Sequence, residues 1–185
     1  GGDLFFGKGF TVDLGLGQNT FDVNATSLIS NGAISALAGG SAIEMQTFIL
    51  AAAVGDVKGS VTLRTSTVSP TDFEIGALGD DSLRVTGALS LISSSGDDTV
   101  TLAGDIEALG TFAMNLGNGF NSVLSSNAGL IKANAISYIG GSGHTEGDPF
   151  PWVVSDFGLV DAIESGIVKI PRLPISDTSG RPEPK

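Results

Sequence analysis

Two pairs of adjacent aspartates are the side chains best suited to chemistry. Asp80-Asp81 follows Gly79 and precedes Ser82-Leu83-Arg84-Val85; the pattern returns where Asp97-Asp98 follows Gly96 and precedes Thr99-Val100-Thr101-Leu102. Carboxylates are hard oxygen donors and Ca²⁺ gathers about six to eight of them, so Asp80, Asp81, Asp97 and Asp98 are the candidate ligands for such an ion. The structural alternative is a turn, because Gly takes φ > 0 and an Asx side chain nearby bonds its own backbone. Asp105 and Glu107 share the outer face of one strand and could pass for a catalytic carboxylate pair. No second element with suitable chemistry faces them, so a solvated face is the simpler reading.

Other chemistries lack their parts. The chain has no cysteine and one histidine, His144, so disulfides, thiolate metal sites and His clusters are excluded. Asp156-Phe157-Gly158 matches the metal-binding tripeptide of kinases, but no Gly-rich loop with its Lys and no His-Arg-Asp accompany it. Gly-x-Gly-x-Asn at 15–19 and 117–121 is no dinucleotide fingerprint, since no helix follows. The net charge of −11 opposes approach to a phosphate backbone, so no nucleic-acid partner is expected. No apolar run reaches the roughly 18 residues of a membrane span.

The elements that carry these residues repeat. After each Gly-Asp turn apolar residues alternate with polar ones: Leu83, Val85, Gly87, Leu89 and Leu91 on one face, and Val100, Leu102, Gly104, Ile106 and Ala108 at the matching offset. Period-2 alternation marks half-buried strands. Gly15-x-Gly17-x-Asn19 and Gly117-x-Gly119-x-Asn121 each follow an alternating strand. Ser41, Ser60, Asp81 and Asp98 fill the interval between Asn19 and Asn121 at nearly even steps. A fixed period built of short strands and Gly turns is the mark of a solenoid. The expected fold is therefore all-β: a parallel β-solenoid (β-helix) with coils of roughly 20 residues. A sandwich of antiparallel strands is the competing architecture. Ile49–Val54 fits either a continuous buried strand or a short helical turn, and 127–138 is equally open.

Composition divides the chain near residue 146. Six of the seven prolines and the one tryptophan lie beyond it. The expected organisation is a repeat domain over 1–145 and a Pro-rich tail over 146–185. In the tail Ser155 suits an N-cap and Gly166 a C′ stop, which predicts a helix at about 156–165. Its apolar stripe, with Trp152, could cap the last coil near Ile136 and Ile139.

Three resemblances add to this. The Gly-Asp-Asp turns resemble the haemolysin-type calcium repeat, which implies calcium as the one candidate cofactor; there, however, short units adjoin directly, whereas here Ser41, Ser60, Asn19 and Asn121 stand at most stations. Residues 1–145, through their Gly-x-Gly-x-Asn and Gly-Asp-Asp turns with alternating strands, resemble the β-strand-repeat regions of bacterial surface and secreted proteins. That implies a non-catalytic, adhesin-like scaffold, extracellular or at the cell surface, with a host or cell-surface ligand as partner. The segment Pro151-Trp152-Val153-Val154-Ser155-Asp156-Phe157-Gly158-Leu159-Val160-Asp161-Ala162-Ile163 and its continuation to Arg172 resembles part of the helicase subunit of type III restriction enzymes. It implies the rival expectation: a cytoplasmic fragment of an ATP-dependent DNA translocase, stripped of its catalytic motifs. Residues 1–145 do not resemble such an ATPase, which leaves a chimera, a misjoined reading frame or an artificial sequence as the origin of the junction.

Overall fold

The alternating segments form strands, and the strands stack on one another. The computed structural model describes residues 2–76 and 81–140, with residues 126–128 described by backbone alone. The strands are β1 (Asp3–Phe6), β2 (Phe10–Asp13), β3 (Asn19–Ser30), β4 (Ile34–Ala38), β5 (Gln46–Val57), β6 (Val61–Thr65), β7 (Thr71–Ile75), β8 (Ser82–Val85), β9 (Leu89–Ile92), β10 (Thr99–Gly117) and β11 (Ser122–Gly140). No helix occurs among the described residues, and so none there is long and apolar enough to cross a membrane. Each ladder between these strands is parallel. The expected parallel β-solenoid is the fold, and the antiparallel sandwich is ruled out.

Each coil turns through three faces. On the first, the start of β3 pairs with β5, then β7, β10 and β11, stacking Phe21, Phe48, Phe73, Val100 and Val123. On the second, β1 is followed by the end of β3, the end of β5, β8, and the middles of β10 and β11. On the third, β2, β4, β6, β9 and the ends of β10 and β11 stack Phe10, Ile34, Val61, Leu89, Phe112 and Ile136. Like therefore lies on like inside the coil. Phe48 and Phe73 are fully buried, with ring centroids 5.3 Å apart and planes at 14°. Phe6, Phe10 and Phe21 continue the aromatic run toward the first coil. Burying one such side chain stabilises the fold by about 1.5–3 kcal/mol.

The corners are made by small residues. Between the first and second faces the long strands carry Ala25, Ala52 and Ala103, each at most 4% exposed. Between the second and third faces Gly32, Gly59, Gly87 and Gly110 pass one above another. A Cβ at Gly59 would stand 2.5 Å from the Ala33 nitrogen and 2.8 Å from the Gly32 carbonyl carbon. Coils a strand spacing apart, about 4.8 Å, leave no room there. At the third corner Gly15, Gly17, Gly117 and Gly119 have φ of 74°, 109°, 64° and 130°, as the Gly-x-Gly-x-Asn pattern predicts.

The coil is longer than the sequence pattern predicts. One column runs Asn19, Gln46, Thr71, Asp98, Asn121, so a coil takes about 25 residues, still within the range of solenoid repeats. Ser41, Ser60 and Asp81 are therefore not equivalent to Asn19. Ser60 opens the third face, Asp81 the second, and Ser41 lies in a turn where Ile43 is 91% exposed instead of facing inward. The echo of Gly-Asp-Asp in the sequence is not the structural repeat either, because Leu83 pairs with Ile106, not Val100. The face assignments survive this shift: Leu83, Val85, Leu89 and Leu91, and Val100, Leu102, Ile106 and Ala108, are all buried. Ile49–Val54 is continuous strand within β5, and 127–138 lies in β11. Asp80, His144 and the tail, with its helix at 156–165 and its capping role, lie outside the described residues.

The stacking constraint can be tested on two glycines. Gly59→Ala should cost about 1–3 kcal/mol or more by overpacking against backbone. Gly7→Ala, whose new Cβ meets only the Phe5 ring at 3.9 Å, should stay within about 0.5 kcal/mol of neutral. Urea denaturation of the two variants makes the comparison, and equal losses would contradict the close passage at the Gly59 corner.

Candidate functional site

The described aspartates of the sequence motif are separated by the fold. Asp81 is 7% exposed and leads into β8, where its carbonyl accepts the Asp105 N–H at 2.8 Å. Asp97 and Asp98 lie at a different corner, leading into β10. The Asp97 Oδ1 accepts the Phe120 N–H at 2.9 Å. Asp98, 1% exposed, accepts the Thr71 N–H of the preceding coil at 2.8 Å and the Ser93 hydroxyl at 2.5 Å. Among the described residues no three His, Asp or Glu side chains are grouped to hold a metal ion.

Asp98 belongs to a polar column, buried at Gln46, Thr71 and Asp98 and half-buried at Asn19 and Asn121, that joins coil to coil. Asn19 Nδ2 donates to the Gly17 carbonyl at 2.8 Å, to the Gly39 carbonyl of the next coil at 3.1 Å, and toward Gln46 Oε1 at 3.0 Å. Gln46 Nε2 donates back to the Gly17 carbonyl at 2.8 Å. Asn121 Oδ1 accepts the Asp98 N–H, and Asn121 Nδ2 donates to the Gly117 carbonyl, both at 3.2 Å. The Asn of Gly-x-Gly-x-Asn thus satisfies the carbonyls of a left-handed corner and clips it to the adjacent coil. Buried polar groups have to find such partners or cost about 1–3 kcal/mol each. Asp98 is the one acid in the column, and burial pushes its carboxyl up to about 6, against the pull of Ser93 and of the Thr71 N–H.

The second face carries the other arrangement of charged groups. Its outward column reads Asp56, Arg84, Glu107, Lys132 on successive coils. Arg84 Nε donates to Glu107 at 3.1 Å, Lys132 Nζ to Glu107 at 2.8 Å, and Lys58 Nζ to Asp56 at 2.5 Å. Arg84 Nη1 stands 3.8 Å from Asp56 Oδ1, and that oxygen has no hydrogen-bond partner. The Lys132 hydrogen bond, with the charges of Lys132 and Arg84, holds the Glu107 carboxyl below its ordinary range. Beside this ladder a second outward column runs Val54, Ser82, Asp105, Leu130, and the two enclose a groove of about 500 Å³. Asp105 Oδ1 accepts the Leu130 N–H at 2.7 Å.

The sequence singled out Asp105 and Glu107 as outward carboxylates, and both project from β10. It missed the ladder, because Asp56, Arg84, Glu107 and Lys132 are unevenly spaced along the chain and align only once the true coil length is known. The arrangement defines a parallel β-solenoid repeat protein with one ion-paired outer face. No protein-family model matches the chain, and no curated protein or solved structure matches it either.

The buried acid gives a pH signature. A folded-state pKa raised to about 6 from 3.8 means the native state holds the proton more tightly, so this group favours folding below about pH 4 and loses that contribution as pH rises through 6. Asp98→Asn keeps an oxygen for the Thr71 N–H and removes the charge. Its melting temperature should exceed that of the parent at pH 7–8, and the difference should shrink toward pH 4. A variant less stable than the parent at pH 8 would contradict the buried-charge account.

Proposed function

We propose that the repeat region is a non-catalytic, adhesin-like structural segment of a larger bacterial surface or secreted protein, working outside the cell or on its surface. The observation that carries this is the use made of the acidic groups. Asp97 holds the Phe120 N–H, Asp98 the Thr71 N–H, Asp105 the Leu130 N–H, and Glu107 the Arg84 and Lys132 side chains. Each of these contacts crosses from one coil to another. Side chains whose types suggested catalysis or metal binding act here as ties in a stack. Solenoids built this way present long outer faces suited to holding partners, and a net charge of −11 keeps such a surface solvated.

The same ties bear on the two rivals. A calcium-stabilised module would draw on the oxygens of Asp97 and Asp98, which here already accept the Phe120, Thr71 and Ser93 hydrogen bonds. The DNA-translocase fragment rests on residues 147–185 alone, and none of the coil residues adds to it.

Antibody raised against residues 1–145 should label intact cells of the source organism, or detect its antigen in the culture medium. Labelling confined to permeabilised cells would overturn the surface assignment.

A further inference from the structure

We infer that the groove on the second face binds an extended, uncharged glycan, laid along the solenoid axis with successive sugar units over successive coils. This rests on the reading of the chain as a non-catalytic surface segment, since the glycan is held and not cut.

The composition of the groove selects the ligand class by charge. It is lined by the acids Asp56, Asp105 and Glu107 and the cations Arg84 and Lys132, while Lys58, outside the lining, pairs with Asp56. The lining therefore carries three acids against two cations, and Lys58 beside it brings the local sum to zero on a chain that carries −11 overall. An anionic ligand would meet cations already paired to carboxylates, and a cationic one would meet two carboxylates, Asp56 and Glu107, already paired to cations and a third, Asp105, holding the Leu130 N–H. A neutral polyhydroxylated ligand displaces neither. Its hydroxyl groups donate to carboxylate oxygens and accept from guanidinium and ammonium N–H groups, both of which the ladder presents in alternation. Arg84 has five N–H donors, of which Nε is used on Glu107, which leaves donors on the guanidinium fork for ligand hydroxyls.

Geometry narrows it further. The backbone N–H and C=O groups of this face are spent in the ladders between coils, so an added peptide strand has nothing to pair with there. Recognition must come from side chains. These recur at the coil spacing, about 4.8 Å, close to the length of one pyranose unit in an extended glycan. Four coils contribute, from Asp56 to Lys132, so the groove spans about three such spacings, roughly 14 Å. Val54 and Leu130 are 60% and 67% exposed and flank it with apolar surface for the C–H faces of sugar rings. The ladder is held rigid from coil to coil, which lowers the ordering cost of binding.

The test is titration of the isotope-labelled chain with neutral cello-, xylo- and manno-oligosaccharides, and with oligogalacturonate and heparin fragments as charged comparators. At least one neutral series should bind and shift the amide resonances of 54–56, 82–84, 105–107 and 130–132 ahead of all others. Arg84→Ala and Glu107→Gln should each weaken it about tenfold or more, as the loss of a hydrogen bond to a charged group does. Arg64→Ala, on the third face, should leave binding unchanged, and circular dichroism should show the same fold in all three. Failure of every neutral series to bind, stronger binding of a charged glycan, or shifts mapping to another face would overturn the inference while leaving the scaffold reading intact. Release of reducing ends from a bound glycan would instead overturn the non-catalytic reading.

Discussion

The coils of residues 2–76 and 81–140 answer to one spacing, the distance at which the backbone of one coil hydrogen-bonds the next. At about 4.8 Å per layer a residue on the inner face touches its counterparts above and below more closely than anything else. Phe48 then stacks on Phe73, Leu63 on Leu91, and Gly59 passes Gly32 and Gly87. The same spacing acts outside, where Arg84 falls between Asp56 and Glu107. Columns, not individual pairs, are the units of packing, and each column favours a class of residue: aromatic and aliphatic within, glycine or alanine at the tight corners, side chains that hydrogen-bond at the turn that must satisfy its own carbonyls.

Charge follows the same rule with opposite effects in two places. Inside the corner column Asp98 takes a station that Asn19 and Asn121 occupy elsewhere, and burial raises its carboxyl to about 6. On the second face Glu107 lies between two cations, and the Lys132 hydrogen bond lowers its carboxyl. The first loses its contribution as pH rises through the folded value. The second contributes above its unfolded value and loses it as pH falls through the lowered one. Exposed pairs of this kind each contribute little to stability, so the ladder's weight lies in presenting a fixed, neutral array on an acidic molecule.

Much of the fold was legible because alternation survives any error in period. Leu83, Val85, Val100 and Leu102 point inward whatever the length of the coil, since strands keep their parity. The left-handed glycines of the third corner were legible too, because Gly15-x-Gly17-x-Asn19 and Gly117-x-Gly119-x-Asn121 are the unabridged form of that corner, whereas Gly76 and Gly104, left-handed as well, carry no such pattern. Coil length was not, because the intermediate corners differ in length and chemistry. Gln46, Thr71 and Asp98 replace Asn there, and the loop holding Ile43 adds a stretch that the eye reads as another station. Gly-Asp-Asp at 96–98 was a true corner, whereas Asp81 opens another face, so their likeness was local. The ionic ladder could not be read at all, because its members share no motif and meet only through register.

Register is therefore the claim to test most directly. The chain has no cysteine, so introduced pairs report cleanly on which residues are neighbours. Strand partners stand within the Cα separation a disulfide requires, about 4.4–6.8 Å. Arg84→Cys with Glu107→Cys, partnered across β8 and β10, should close quantitatively under mild oxidation without loss of melting temperature. Arg84→Cys with Thr101→Cys, joined by the Gly-Asp-Asp echo in the sequence, should remain reduced. Closure of the second pair in preference to the first would contradict the coil register and every column built on it.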